Sequence, residues 1–217
     1  MTFRRDVTVV IATHPGREEM TAQAFASCLM QEEPPDTIVV EYDHARTGAA
    51  AARNRALRSV RTHWVAFLDS DDYFLPHHLR VCLDALETSG ADLVYPGFVG
   101  PDVTATSVNG RVVRPFGVPF GPEQERWFRQ RGGFIPVTHV SRTDRVKRAG
   151  GFPEQGKFKV PAGNVSGDCE DYGMLLAMLD RGARFHHVAE RTWVYRVHDS
   201  NTGGRKGSEV ASREGDR

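Results

Sequence analysis

Two rhythms of apolar and polar residues alternate along the first hundred positions. Val7-Thr8-Val9-Val10-Ile11-Ala12 is a nearly unbroken β-branched run, the pattern of a parallel strand covered on both faces. Thr13-His14-Pro15-Gly16 interrupts it. A helical rhythm follows over about residues 18–31, with Phe25, Cys28 and Leu29 at i, i+3 and i+4, and Pro34-Pro35 closes that segment. Thr37-Ile38-Val39-Val40 predicts a second strand. Thr47-Gly48 can cap an Ala-rich helix from about Ala49 to Ser59. Trp64-Val65-Ala66-Phe67-Leu68 reads as a third, buried strand. Pro76 then opens a helix that carries Leu79, Cys82, Leu83 and Leu86 at i, i+3, i+4 and i+7. Gly90 ends that helix, and Leu93-Val94-Tyr95 predicts a fourth strand. This alternation of strand and helix implies an α/β fold, a doubly wound, mainly parallel sheet flanked by helices.

The rhythm weakens after that. From Gly97 to Gly133, glycine, proline and arginine are frequent, which predicts an irregular region with one hairpin at Asn109-Gly110. Phe134 to Val140 reads as a strand. Tyr172, Leu175, Leu176 and Leu179 predict a helix stopped by Gly182. Phe185–Val188 and Thr192–Val197 predict two late strands. Residues 202–217 hold glycine, serine and charged residues without an apolar anchor, as expected of a disordered tail. The expected organisation is one domain over residues 1–201.

Composition narrows the classes. A chain of 217 residues, 40% hydrophobic, suits a single α/β domain. Lys+Arg and Asp+Glu each number 28, so no basic surplus favours non-specific nucleic-acid binding. Cys28, Cys82 and Cys169 are odd in number and form no C-x-x-C pair, which fits reduced thiols in the cytoplasm. The Val7–Ala12 run is too short for a signal sequence or a membrane span. A soluble, cytoplasmic protein without stable membrane insertion is the expectation.

Asp69-Ser70-Asp71-Asp72 follows the third strand directly. Carboxylates this crowded repel one another unless water or a cation separates them. Asp-x-Asp spacing lets Asp69 and Asp71 share one turn, where hard oxygen ligands suit Mg²⁺ or Mn²⁺; a solvated acidic turn before the next helix is the plainer alternative. In open parallel sheets, ligands bind beyond the carboxyl ends of the strands. Thr13, Glu41-Tyr42-Asp43 and Asp69-Ser70-Asp71 all fall on that edge, so a nucleotide could lie across them. Neither a G-x-G-x-x-G nor a Walker loop is present, which leaves metal and basic side chains to hold phosphates. Glu170-Asp171 precedes a predicted helix. Acidic residues there stabilise the helix start, and an ionised carboxylate facing a cleft can also take a proton from an attacking hydroxyl. In Tyr195-Arg196-Val197-His198, alternation puts Arg196 and His198 on one face, where a guanidinium and an imidazole could serve a phosphate site together.

Val9-Val10-Ile11-Ala12-Thr13, Ala52-Arg53-Asn54-Arg55-Ala56-Leu57, Val65 to Asp72, Gly150-Gly151-Phe152, Glu170-Asp171 and Tyr195-Arg196-Val197-His198, in this order, resemble family-two glycosyltransferases of the GT-A fold. The resemblance spans about residues 6–201. It implies inverting, metal-dependent transfer of one sugar from a nucleotide-sugar, usually a UDP-sugar, with residues 1–96 as the nucleotide-binding half and 97–201 as the acceptor-binding half. It places Thr13 and Glu41 at the nucleoside, Arg53 near the base or phosphates, Asp69 and Ser70 in the donor site, and Asp71 on the metal. Asp171 matches the catalytic base, with Glu170 beside it. Arg196 and His198 match the diphosphate and metal contacts. Processive members carry Gln-x-x-Arg-Trp after the Glu-Asp pair, whereas Gln124-Glu125-Arg126-Trp127 is one residue short and precedes it. The acceptor class stays open among glycan, lipid-linked, protein and nucleobase hydroxyls. Two other readings are a sugar-nucleotide pyrophosphorylase-like enzyme, whose Gly-rich basic loop is missing after strand one, and a non-catalytic nucleotide-sugar-binding module.

Among the remaining residues, His77-His78 are expected to be solvated at a helix start and Trp193 to be core. Trp127 and Phe128 could stack on an acceptor sugar or simply pack. Arg142 to Arg148 is expected to form an exposed helix face.

Overall fold

The computed structural model describes residues 3–100, 106–108, 111–113, 119–131, 135–154 and 170–198. Strands β1 (Val7–Thr13), β2 (Thr37–Tyr42) and β3 (Trp64–Asp69) alternate with helices α1 (Glu18–Leu29) and α2 (Ala49–Ser59). The short β4 (Tyr73–Phe74), α3 (His78–Ser89) and β5 (Leu93–Val99) follow. The second half contributes the hairpin strands β6 (Thr106–Val108) and β7 (Arg111–Val113), helix α4 (Pro122–Arg131), β8 (Val140–Arg142), α5 (Thr143–Ala149), α6 (Glu170–Leu179) and β9 (Phe185–Val194).

Seven strands form one sheet in the order β2-β1-β3-β8-β5-β9-β4. Its three long ladders, β1 with β2, β1 with β3, and β5 with β9, are parallel. The three short ladders, made by β8 on both its sides and by β4 with β9, are antiparallel. Side chains alternate strictly across β1 and β3. Val9, Ile11, Trp64, Ala66 and Leu68 join the core under α1 and α3, whereas Val10, Val65 and Phe67 join the core that holds Leu57, Val146, Leu175 and Met178 from α2, α5 and α6. Covering both faces is why these strands read as continuous apolar runs.

The helix starts and stops have local causes. The buried carboxylate of Asp43 accepts the Thr47 hydroxyl and the Gly48 N–H, each at 2.7 Å, so a side chain upstream of the predicted cap satisfies the start of α2. α3 ends at Gly90, whose φ of 61° is left-handed and whose N–H reaches Leu86 O at 3.0 Å. Gln31, buried beyond the end of α1, donates to Leu75 O at 2.9 Å and accepts from Leu79 N at 3.0 Å, tying α1 to α3. Losing such a buried amide leaves partners unsatisfied at a cost of about 1–3 kcal/mol each.

Several expectations are corrected. The buried face of α1 is Thr21, Ala24, Ser27 and Cys28; Phe25 and Leu29 are exposed. A helix, α4, occupies part of the region read as irregular, because Trp127 and Phe128 supply the contacts that its polar sequence conceals: Phe128 is fully buried and its carbonyl accepts the Tyr172 hydroxyl at 2.6 Å. The strand expected over 134–140 is only Val140–Arg142, short because it pairs antiparallel between β3 and β5 over a few residues. The two late strands are one, β9, with register shifts opposite Pro96-Gly97-Phe98, and it ends at Val194. His78 is buried, stacked on Phe74 at 3.8 Å with Nδ1 2.8 Å from Thr192 Oγ1. The Arg142–Arg148 stretch is not simply a solvated face, since Arg142 and Arg145 both turn onto buried Asp92. β6 and β7 pair antiparallel across positions 109–110, as the hairpin reading expects. Trp193 is core, and Cys28 and Cys82 are buried free thiols. Cys169 and the segment 202–217 lie outside the described residues. Among the described residues, no helix is long and apolar enough to cross a membrane.

Candidate active site

The carboxyl ends of β1 and β3 adjoin, with Ala12 paired to Asp69. Beyond β3 the chain turns tightly, with Asp72 N–H on Asp69 O at 3.0 Å, and enters β4. Carboxylate oxygens of Asp69, Asp71 and Asp72 lie within 4.8 Å of one another. The three differ sharply in surroundings. Asp72 is 3% exposed. Burial first, and then the charges of Asp69 and Asp71, push its carboxyl up to about 8 against a stabilising bond from Arg196 N–H. Asp69 is more open and pairs with Arg53 Nη2 at 2.5 Å. Asp71 is part-buried, and its Oδ2 meets Arg17 Nη1 at 2.5 Å and His198 Nε2 at 3.1 Å.

Residue 198 meets residue 71 because of one antiparallel ladder. β4 pairs with β9 through Tyr73 to Val194 and Phe74 to Trp193. The residues after Val194 therefore run back along the acidic turn that precedes Tyr73. Arg196 N–H donates to Asp72 Oδ1 at 2.9 Å, its Nε donates to Asp71 O, its Nη1 donates to Gln23 Oε1, and its guanidinium lies 5.3 Å from the Tyr73 ring centre. Residues 195–198 form an irregular strap rather than a continuation of the strand.

Arg53 links this cluster to the second acidic pair. It projects from α2 with its side chain 7% exposed and holds Asp69 on one side and Glu170 Oε1, at 2.8 Å, on the other. Burial alone would lower the pKa of its guanidinium; the charges of Asp69, Glu170 and Asp171 outweigh that and raise it. Its guanidinium also lies 5.3 Å from the ring centre of Phe152. The neighbouring Asn54 clamps Phe152, accepting its N–H at 2.9 Å and donating to its carbonyl at 2.7 Å. Gly151, at φ 71°, is required there: a Cβ would collide with the Asn54 amide oxygen. The Arg-Asn and Gly-Gly-Phe motifs are thus two halves of one contact. They hold α2 against the end of α5 and, through Glu170, against the first turn of α6, where Asp171 also sits.

The remaining expected residues are placed as follows. Thr13 is buried at the end of β1, its hydroxyl 2.7 Å from that of Thr21. Ser70 is buried within the acidic turn. Glu41 lies one strand away, paired with Arg55 at 2.6 Å. The structure therefore brings Asp69, Asp71, His198, Arg196, Arg53 and Glu170 into one linked network, with Asp171 inside the field of Arg53, and leaves Glu41 in a separate ion pair. Sequence reading missed Arg17, Asp72 as the anchor of the strap, and Tyr73. Arg17 gives no signal beyond one basic residue in a turn; Asp72 was visible as the third acid of the cluster. A shallow open cavity of about 300 Å³ between α5 and α6, lined by Gly150, Gly151, Leu176 and Ala177 among others, contains none of the clustered acids Asp69, Asp71 and Asp72.

The donor set fits a hard divalent cation: carboxylate oxygens within reach of one another, with His198 Nε2 3.1 Å from Asp71 Oδ2.

Comparison with known proteins agrees with this architecture. The structure resembles Staphylococcus aureus TarS with a TM-score of 0.66 at 19% identity, covering 88% of this chain and 37% of that one. TarS 1–349 in complex with UDP-GlcNAc gives 0.66 at 17% identity, covering 92% of this chain and 62% of that one. At such identities the likeness concerns the fold, a GT-A-type α/β architecture. The Succinoglycan biosynthesis protein ExoO of Rhizobium meliloti (strain 1021) is 27% identical over 99 residues, which is 46% of this chain. This chain spans 27% of ExoO's length. The family model for Glycosyl transferase family 2 matches residues 22–140, more than half of the sequence and including the whole acidic turn. The chain belongs to glycosyl transferase family 2.

Proposed function

We propose that this protein is an inverting glycosyltransferase that moves one sugar from a nucleotide-sugar to an acceptor hydroxyl. The observation that carries the reading is the meeting of Asp71, Arg196 and His198 in one cluster, linked through Asp69 and Arg53 to the helix start that bears Glu170 and Asp171. A UDP-sugar is the proposed donor; the TarS complexes with UDP and UDP-GlcNAc support that class.

The donor lies across the ends of β1 and β3, in the half formed by residues 1–96. When bound, a Mn²⁺ or Mg²⁺ ion held by Asp71 and His198 would neutralise charge on the donor diphosphate. Arg196, fixed by Asp72 and Tyr73, presents a second positive group to the departing diphosphate. Asp171, at the start of α6, accepts the proton of the acceptor hydroxyl. The acceptor oxygen bonds to the anomeric carbon as the carbon–oxygen bond to phosphate breaks, and the diphosphate leaves with that electron pair. A single displacement of this kind inverts the anomeric centre. Arg53 keeps Glu170, and with it the first turn of α6, at a fixed distance from the donor side. Residues 97–201 are the proposed acceptor half.

The test is a donor panel. Purified protein with Mn²⁺ is expected to release UDP slowly from at least one UDP-sugar, and UDP with Mn²⁺ is expected to raise Tm through linkage. An Asp71→Ala protein that keeps the full Tm shift would contradict the cation assignment. The absence of both release and binding across UDP-, GDP- and TDP-sugars would overturn the transferase reading.

A further inference from the structure

Arg17 occupies a position that the proposed chemistry does not use. It is the residue at the start of α1, directly after Gly16, whose φ of 98° is left-handed. Its guanidinium sits 2.5 Å from Asp71 Oδ2, and both side chains are 13% exposed. The same oxygen lies 3.1 Å from His198 Nε2. A divalent cation on Asp71 and a guanidinium on the same carboxylate oxygen repel each other, so the two compete for it.

We propose that Arg17 is an exchangeable counter-ion: without a cation it neutralises Asp71, and once a cation takes that carboxylate it turns to the phosphates of the donor. This inference rests on the cation and nucleotide-sugar reading above. Three features support it. First, the acidic turn gathers three carboxylates within 4.8 Å, and a positive partner relieves their repulsion when no ion is bound. Second, Arg17 reaches Asp71 Oδ2, the oxygen that also faces His198 Nε2 and that a cation held by Asp71 and His198 would claim, whereas Arg53 bonds Asp69 and Glu170 and Arg196 bonds Asp71 O and Gln23. Third, Arg17 stands at the N-terminus of α1 beside the carboxyl end of β1. That end of a helix favours anions, so a released guanidinium remains where a diphosphate is expected to lie. A planar fork suits that second role, since guanidinium pairs with phosphate through two hydrogen bonds.

The exchange predicts opposite effects of one substitution on two equilibria. Arg17→Gln removes a competitor for Asp71, so Mn²⁺ alone, titrated by electron paramagnetic resonance, is expected to bind roughly 5-fold to 10-fold more tightly than to wild type. The same protein at saturating Mn²⁺ is expected to bind UDP about 10-fold more weakly by calorimetry, because a charge-assisted phosphate contact is gone. Arg17→Lys, which keeps the charge and disturbs the fold least, should fall between on both measurements. Weakening of Mn²⁺ and UDP together, or an unchanged Mn²⁺ affinity while Asp71→Ala abolishes Mn²⁺ binding, overturns the exchange alone. A wild-type protein that binds no Mn²⁺ overturns the cation reading and the exchange with it.

Discussion

Asp71 and Asp92 are both carboxylates set against arginines, at opposite edges of the same sheet, and they are built to different ends. Asp92 precedes β5 at the amino edge. Its side chain is 4% exposed and meets Arg145 at 3.1 Å, Arg142 at 3.4 Å and the Arg184 N–H at 3.0 Å. Its main chain accepts Arg142 N–H at 2.8 Å and donates to Arg184 O at 2.8 Å. It therefore welds β5, β8 and β9 together, with no other carboxylate among its hydrogen-bonded or ion-paired partners. Asp71, at the carboxyl edge, has Asp69 and Asp72 crowded beside it, and Arg17 and His198 share one of its oxygens. A carboxylate surrounded by satisfied donors stabilises a fold; one crowded by other carboxyls fits the ligand site proposed above.

The contrast can be broken by measurement. The largest effect belongs to the carboxyl edge: Asp171→Asn is expected to lower turnover by about 10²- to 10⁴-fold, the usual worth of a general base, with UDP binding by calorimetry preserved. A non-catalytic binding module would be indifferent to it. Next comes Asp92→Ala, expected to cost about 2–3 kcal/mol because Arg145 and the Arg184 N–H lose their carboxylate partner and Arg142 keeps only Asp144. For a chain of this size that lowers Tm by about 7 °C. A loss under 1 kcal/mol, roughly 3 °C, would show that Asp92 does not weld the three strands.

Between pH 7 and pH 5.5, two buried imidazoles make the fold sensitive to acid. Burial, reinforced by His77 for His78 and by Arg53 for His139, lowers both pKa values from the ordinary 6.5 to about 3. These histidines bind protons in the unfolded chain before they do in the folded one. Their contribution is thus complete above pH 6.5 and is lost progressively as pH falls toward 3. Each can contribute a slope of up to about 1.4 kcal/mol per pH unit. Asp72, whose raised carboxyl is protonated first in the folded chain, acts in the opposite sense over the same window; with that group removed, in Asp72→Asn, Tm is expected to drop by several degrees between pH 7 and pH 5.5, and a flat profile there would show that His78 and His139 can charge in place.

The smallest effect sharpens the comparison most. Asp71→Asn should change stability by less than about 1 kcal/mol, since the lost pairing with Arg17 is offset by relief of repulsion from Asp69. Denaturant titration of Asp71→Asn beside Asp92→Ala tests that difference; equal losses would make the two carboxylates alike.

What the sequence determined by itself was local. Apolar runs, β-branched in β1 and β2 and bulky in β3, specified these strands, a 3.6-residue rhythm and Gly90 specified α3, and the acidic residues behind Trp64–Leu68 had to lie in a turn at the end of a buried strand. These follow from neighbours within a few residues, where periodicity reports which face is covered. Tertiary structure decided who meets whom. Residue 198 reaches residue 71 only because β4 and β9 pair antiparallel, and Arg53 spans Asp69 and Glu170 only because Asn54 and the Gly151 turn lock α2 to the end of α5. The same packing turned Phe128, Arg145 and His78 inward although their neighbours in sequence are polar. Periodicity marks a surface for burial without naming its partner; the partner is chosen by strand pairing and hydrogen bonding between segments more than a hundred residues apart, whose joining leaves no local pattern to read.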